Sequence, residues 1–92
     1  AFNYVNEAIE RRVRPLAESI GCETVLPCDV QNDEQIDTFF DEIGKRWGKI
    51  DGLVHSVAFA EKEDLTNRFS QTTRKGFHTA LDVSAFSMIR SA

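Results

Sequence analysis

The chain has 92 residues, with 11 Lys or Arg against 15 Asp or Glu, a net charge of −4 and a hydrophobic share of 41%. That balance excludes a disordered or collagen-like chain, and the acidic character opposes the basic footprint of a nucleic-acid binder. The length suits one domain or part of one, and no apolar run approaches the roughly 18 residues of a membrane span. No secretory leader is expected, and Ala1 does not read as a natural start. Cys22 and Cys28 are too few for a disulfide framework and fit a reducing compartment.

Phe2 to Val5 reads as a short strand. Asn6 can cap the helix that follows, where Ile9, Val13, Leu16, Ala17 and Ile20 recur at helical spacing. Pro15 predicts a kink or two short pieces, because it removes a backbone donor and disfavours helical angles at Arg14. Gly21 suits the stop. Glu23 to Leu26 reads as the second strand, ended by Pro27. Asn32 or Gln31 opens the next helix, with Asp33 and Glu34 where the helix dipole favours negative charge. Ile36, Phe39, Phe40, Ile43 and Trp47 form its apolar stripe, Lys45 and Arg46 lie near its end, and Gly48 terminates it. Ile50 to Val57 reads as a third strand, short and buried. Residues 59 to 71 read as a polar loop. Thr72 or Thr73 caps a last long helix carrying Phe77, Leu81, Ala85 and Met88. Strands separated by single helices predict parallel pairing in a layered α/β sheet.

Ligands of open parallel sheets bind beyond the carboxyl ends of the strands, so the residues just after each strand are the candidates. Asp29 follows the second strand. An ionised carboxylate only accepts hydrogen bonds, which suits an adenine's exocyclic amine; it equally suits an ordinary turn or helix entry. Ser56, Val57 and Ala58 are slim residues that let a flat ligand approach the backbone, or simply pack under a helix. His55 falls on the opposite strand face from Ser56, which opposes a Ser-His nucleophile pair and favours a structural histidine. His78 and Asp82 lie four apart, but two ligands do not make a metal site. Tyr4 is the only tyrosine and holds a packing position in the first strand. The five glycines contain no G-x-G-x-x-G, and there is no P-loop.

Ala1-Phe2-Asn3-Tyr4, Arg11-Arg12-Val13-Arg14-Pro15-Leu16-Ala17-Glu18, Leu26-Pro27-Cys28-Asp29-Val30 and Val54-His55-Ser56-Val57-Ala58-Phe59-Ala60 together resemble the bacterial NADH-dependent enoyl-[acyl-carrier-protein] reductases of the short-chain dehydrogenase/reductase superfamily. The likeness continues through Thr73-Arg74-Lys75-Gly76-Phe77 and Asp82-Val83-Ser84. It implies an oxidoreductase of fatty-acid elongation: hydride passes from a nicotinamide to the β-carbon of a trans-2-enoyl thioester on acyl carrier protein. It also implies that Asp29 and Val30 hold the adenine, that Ser56, Val57 and Ala58 line the cofactor towards the nicotinamide, and that Phe59 and Ala60 border the substrate pocket. The helix over residues 73 to 91 would pack between subunits of a homotetramer in the cytoplasm. Its small residues Ala80, Ser84 and Ala85 permit close helix approach, between subunits or within the chain.

The family's glycine-containing first strand and its catalytic Tyr and Lys match nothing in residues 1–92. The expected fold is therefore a partial Rossmann-like parallel sheet, strands two, three and four of a doubly wound domain of order 3-2-1-4. In that order strand four pairs only with strand one, so residues 1–92 alone are not expected to reach the native arrangement. Val5 and Asn6 stand where NADP enzymes commonly place an Arg, which favours NADH, although Val5 offers the ribose no acceptor. The alternatives are a ketoacyl reductase, which usually carries Asn-Asn-Ala-Gly where His55-Ser56-Val57-Ala58 stands, and a receiver-like module, which needs paired acids where Asp29 is alone. A non-catalytic carrier-docking piece using Arg68, Arg74 and Lys75 is a third.

Overall fold

In the computed structural model, which describes residues 1–92, the chain divides into two units, Ala1–Asp51 and Gly52–Ala92. In the first, strands β1 (Phe2–Tyr4) and β2 (Val25–Pro27) pair in parallel, with Phe2 opposite Val25, Asn3 opposite Leu26 and Tyr4 opposite Pro27. The ladder opens with Phe2 N–H to the Thr24 carbonyl (2.9 Å) and closes with Cys28 N–H to the Tyr4 carbonyl (2.8 Å). The second strand thus lies later than the expected 23–26. A parallel ladder extends only as far as its partner, and β1 reaches Cys28.

Helix α1 (Glu7–Ser19) starts where the Asn6 side chain accepts the Ile9 N–H at 3.0 Å. It ends in a Schellman motif. Gly21, at φ 75°, gives its N–H to the Glu18 carbonyl at 3.0 Å, and Cys22 gives its N–H to the Ala17 carbonyl at 2.9 Å. The helix runs unbroken through Pro15, contrary to the expected kink. Pro15 and Arg11 are both exposed, so the carbonyl left without a partner faces water rather than the core. Arg14 and Glu10 pair at 2.7 Å across the same turns.

Helix α2 (Asp33–Trp47) is capped as its residues predict. Asn32 accepts the Gln35 N–H at 3.1 Å, and Gly48, also at φ 75°, closes the end through its N–H to the Gly44 carbonyl. The core of this unit is Ala17, Val25, Cys28, Ile36 and Ile43. Ile36 and Ile43, seven apart, share one helix face. Trp47, expected in the stripe, is half exposed, and Phe40 packs edge-on against Phe39.

In the second unit the expected third strand has no ladder, and the sheet keeps two strands. A strand needs a partner for its backbone groups. The expected order puts this segment beside neither β1 nor β2, so residues 1–92 offer it none. The expected loop over 59–71 also holds more order: helix α3 (Lys62–Thr66) and a 3₁₀ turn at Phe69–Gln71. Lys62, Glu63 and Leu65 favour helix, and acids in the first turn suit the dipole, so polarity there does not mean irregular backbone.

Helix α4 (Arg74–Leu81) is capped by Thr73, whose hydroxyl accepts the Gly76 N–H at 2.9 Å. A Cβ at Gly76 would fall on the Asp64 carboxylate, so glycine there admits α3 against α4. The helix passes into a π-helical turn at Asp82–Phe86 and then α5 (Ser87–Ser91). The Ser87 hydroxyl donates to the Val83 carbonyl at 2.6 Å, while the Ser87 N–H goes five residues back to Asp82. The side chain has taken the carbonyl that its own N–H ordinarily bonds. No helix of the chain is long and apolar enough to cross a membrane.

Candidate functional site

The turn after β2 is held by bonds to both its backbone and its side chains. The Cys28 carbonyl accepts from Asn3 Nδ2 at 3.1 Å. The Asp29 N–H donates to Gln35 Oε1 at 2.8 Å, and the Asp29 carbonyl accepts the Asn32 N–H at 2.9 Å. One carboxylate oxygen, Asp29 Oδ1, accepts the Gln31 N–H at 3.0 Å in an Asx turn. The other oxygen can also accept a donor. A carboxylate held at the strand end with one oxygen in reserve fits an amine donor such as that of adenine. Val30 beside it is half-buried.

Cys28 lies in the same turn but is a poor nucleophile. Burial pushes its thiol pKa up, and the neighbouring Asp29 charge adds to the shift. A raised pKa means less thiolate at neutral pH. Cys28 is therefore expected to resist iodoacetamide in the native protein, alkylating only on the alkaline side of the ordinary thiol range. Peptide mapping by mass spectrometry checks this, and prompt modification at neutral pH would contradict it.

In the second unit, burial alternates along the predicted strand-end run. His55 and Val57 are half-buried, while Ser56 and Ala58 are exposed. This places His55 on the side facing the helix. His55 Nε2 lies 2.8 Å from Ser87 Oγ, and Ser87 is fully buried. The single hydroxyl hydrogen of Ser87 is committed to Val83, so Nε2–H is the donor. A serine whose hydroxyl donates to a carbonyl and accepts from histidine has no base to activate it. The pair is a structural clasp.

Ser84 forms a second clasp three residues earlier. Its hydroxyl accepts the Phe59 N–H at 3.0 Å and donates to the Phe59 carbonyl at 3.3 Å. The small residue noted in the sequence therefore makes an intrachain contact. Phe59 keeps half its surface exposed, and Ala60 is half-buried. His78 and Asp82 recruit no third metal-ligand type, and no cluster of three or more His, Cys, Asp or Glu forms in the chain.

Asn3, Gln31, Gln35, Ser84 and Ser87 support these turns, and sequence reasoning did not single out their hydrogen bonds. Only Gln35 carried a signal. Asn32-x-x-Gln35 matches the spacing of a capping box, in which the glutamine side chain turns back towards the preceding turn.

Residues 1–92 match the family model described as enoyl-(acyl carrier protein) reductase. The chain is 52% identical over 81 residues to the NADH enoyl-[acyl-carrier-protein] reductase FabI of a Nostoc species, an alignment covering 88% of this chain and 31% of that one. It superposes on the reductase of Anaplasma phagocytophilum, solved in complex with NAD, with a TM-score of 0.89 at 37% identity, over 97% of this chain and 34% of that one. Against the Bacillus cereus reductase, solved with NADP⁺ and an indole naphthyridinone, the TM-score is 0.92 at 43% identity, over 99% of this chain and 36% of that one. The chain thus spans about a third of the length of these relatives. With a family match over every residue and a backbone that follows solved members, the chain belongs to the enoyl-[acyl-carrier-protein] reductase family.

Proposed function

We propose that residues 1–92 are part of a single Rossmann-like dinucleotide-binding domain of an NADH-dependent enoyl-[acyl-carrier-protein] reductase. The observation that carries this is the family match over all 92 residues. Bound NADH supplies the hydride that reduces the double bond of a trans-2-enoyl thioester. Asp29 accepts the adenine amine through its unengaged oxygen, with Val30 beside the ring. The exposed side of Ser56 and Ala58, with Val57, lies along the cofactor towards the nicotinamide. Small side chains there let the ring approach the backbone. Phe59 and Ala60 border the acyl pocket, and the Ser84 hydroxyl holds Phe59 in place.

Acyl carrier protein is the partner that presents the substrate. The helix over residues 73–91 contributes to a homotetramer in the cytoplasm, and the exposed Phe77, Leu81, Met88 and Ile89 on it support that role. The catalytic Tyr and Lys of the family lie outside residues 1–92. For cofactor choice, Val5 and Asn6 after β1 offer no cation for a 2′-phosphate, which supports NADH.

In the intact enzyme, NADH oxidation is expected to require a trans-2-enoyl thioester and to proceed faster than NADPH oxidation. Initial rates with each nucleotide check both points. No turnover of an enoyl thioester would overturn the reading, and a strong NADPH preference would overturn the cofactor assignment alone.

A further inference from the structure

Gln35 occupies the third position of α2, and Asn32 caps that helix by accepting the Gln35 N–H. In the reciprocal capping box, a glutamine at this position returns its side chain to the N–H of the cap residue. Here that N–H is already used: Asn32 gives it to the Asp29 carbonyl at 2.9 Å. The Gln35 side chain reaches three residues further back, and its Oε1 accepts the Asp29 N–H at 2.8 Å. The helix start therefore grips both backbone groups of Asp29, one through Asn32 and one through Gln35. The Asx turn to Gln31 then fixes the carboxylate itself.

We propose that Gln35 is a positioning residue for base selection: by holding the Asp29 N–H it aims the free carboxylate oxygen, and so sets how well the enzyme tells adenine from a base without an exocyclic amine. The proposal rests on the reading of Asp29 as the adenine acceptor. A helix-capping role alone would alter stability and leave base selection untouched. Loss of aim weakens the contact proposed between the amine and Asp29.

The test compares dissociation constants for NADH and for deamino-NADH, which carries hypoxanthine in place of adenine, in the intact enzyme. The variants are Asp29→Ala, Gln35→Met, Gln35→Glu and the Asp29→Ala/Gln35→Met double. Asp29→Ala is expected to bring the preference for NADH close to one. Gln35→Met, which keeps size but removes the acceptor, is expected to lower the preference about 3- to 10-fold, the range of one lost hydrogen bond. Gln35→Glu keeps an acceptor oxygen and is expected to retain most of the preference. The double variant is expected to bind NADH as Asp29→Ala alone does, because Gln35 acts through Asp29. A wild-type preference in Gln35→Met, or additive losses in the double variant, overturns the role of Gln35. A wild-type preference in Asp29→Ala overturns the adenine reading of Asp29 itself.

Discussion

Replacing Ser84 by alanine in the intact enzyme is expected to lower kcat/KM for an enoyl thioester by roughly ten- to a hundredfold, the combined range of two lost hydrogen bonds. Both bonds go to one residue: the hydroxyl accepts the Phe59 N–H and donates to the Phe59 carbonyl. Alanine leaves both backbone groups to find new partners, and the simplest route is a shift of the 56–60 segment. Small displacements matter here because the segment is proposed to border both nicotinamide and acyl chain. Reactive geometry is lost steeply with misplacement. Threonine keeps the hydroxyl, so Ser84→Thr is expected to retain more activity than Ser84→Ala. Steady-state kinetics on the two variants, beside their melting temperatures, make the measurement. A Ser84→Ala enzyme with wild-type kcat/KM would remove Ser84 from any role in holding the site.

The helix ends were legible because each is written in one or two residues. Asn6, Asn32 and Thr73 carry an acceptor at the right offset, while Gly21 and Gly48 adopt positive φ where another residue would be strained. Position at the strand ends and family motifs together brought Asp29 and the 56–60 run forward, but not what holds them. Ser84 read from sequence only as a small helix residue, and Ser87 carried no reading. Their bonds to Phe59 and His55 cross 25 and 32 residues of chain, and no local pattern encodes a contact at that separation. The π-helical turn was hidden for a related reason. It follows from the Ser87 side chain claiming the Val83 carbonyl, a choice between two donors that periodicity does not register. Pro15 misled in the other direction. Its local penalty is real, but the carbonyl it orphans lies on the wet face, where water bonds it.

Residues 1–92 in isolation are expected to show no cooperative thermal transition, and amide exchange little slower than that of an unstructured chain. The buried apolar side chains are Ala17, Val25, Cys28, Ile36 and Ile43, and all belong to residues 1–51. Residues 52–92 bury Gly76 and the polar Ser87 but no large apolar side chain, while Val54 is 89% and Phe69 93% exposed. The sheet has two strands of three residues each, so it depends on packing against α1 and α2 for what stability it has. Ordering the backbone costs about 1–2 kcal/mol per residue, and that cost is offset mainly by burial. A unit that buries no large apolar side chain has little to offset it, however well its helices are capped. The clasps of Ser84 and Ser87 do not change this, since each exchanges hydrogen bonds with water for bonds within the protein at small net gain. Within the intact enzyme the same apolar residues are expected to become contact surface, and the same segments to be protected. Circular dichroism melting of the 92-residue peptide, with exchange monitored at Val25, Ile36 and Ser87, separates the two cases. A sigmoidal transition with slow exchange at Ser87 would mean that the clasps and caps suffice, and that burial is not what limits this chain.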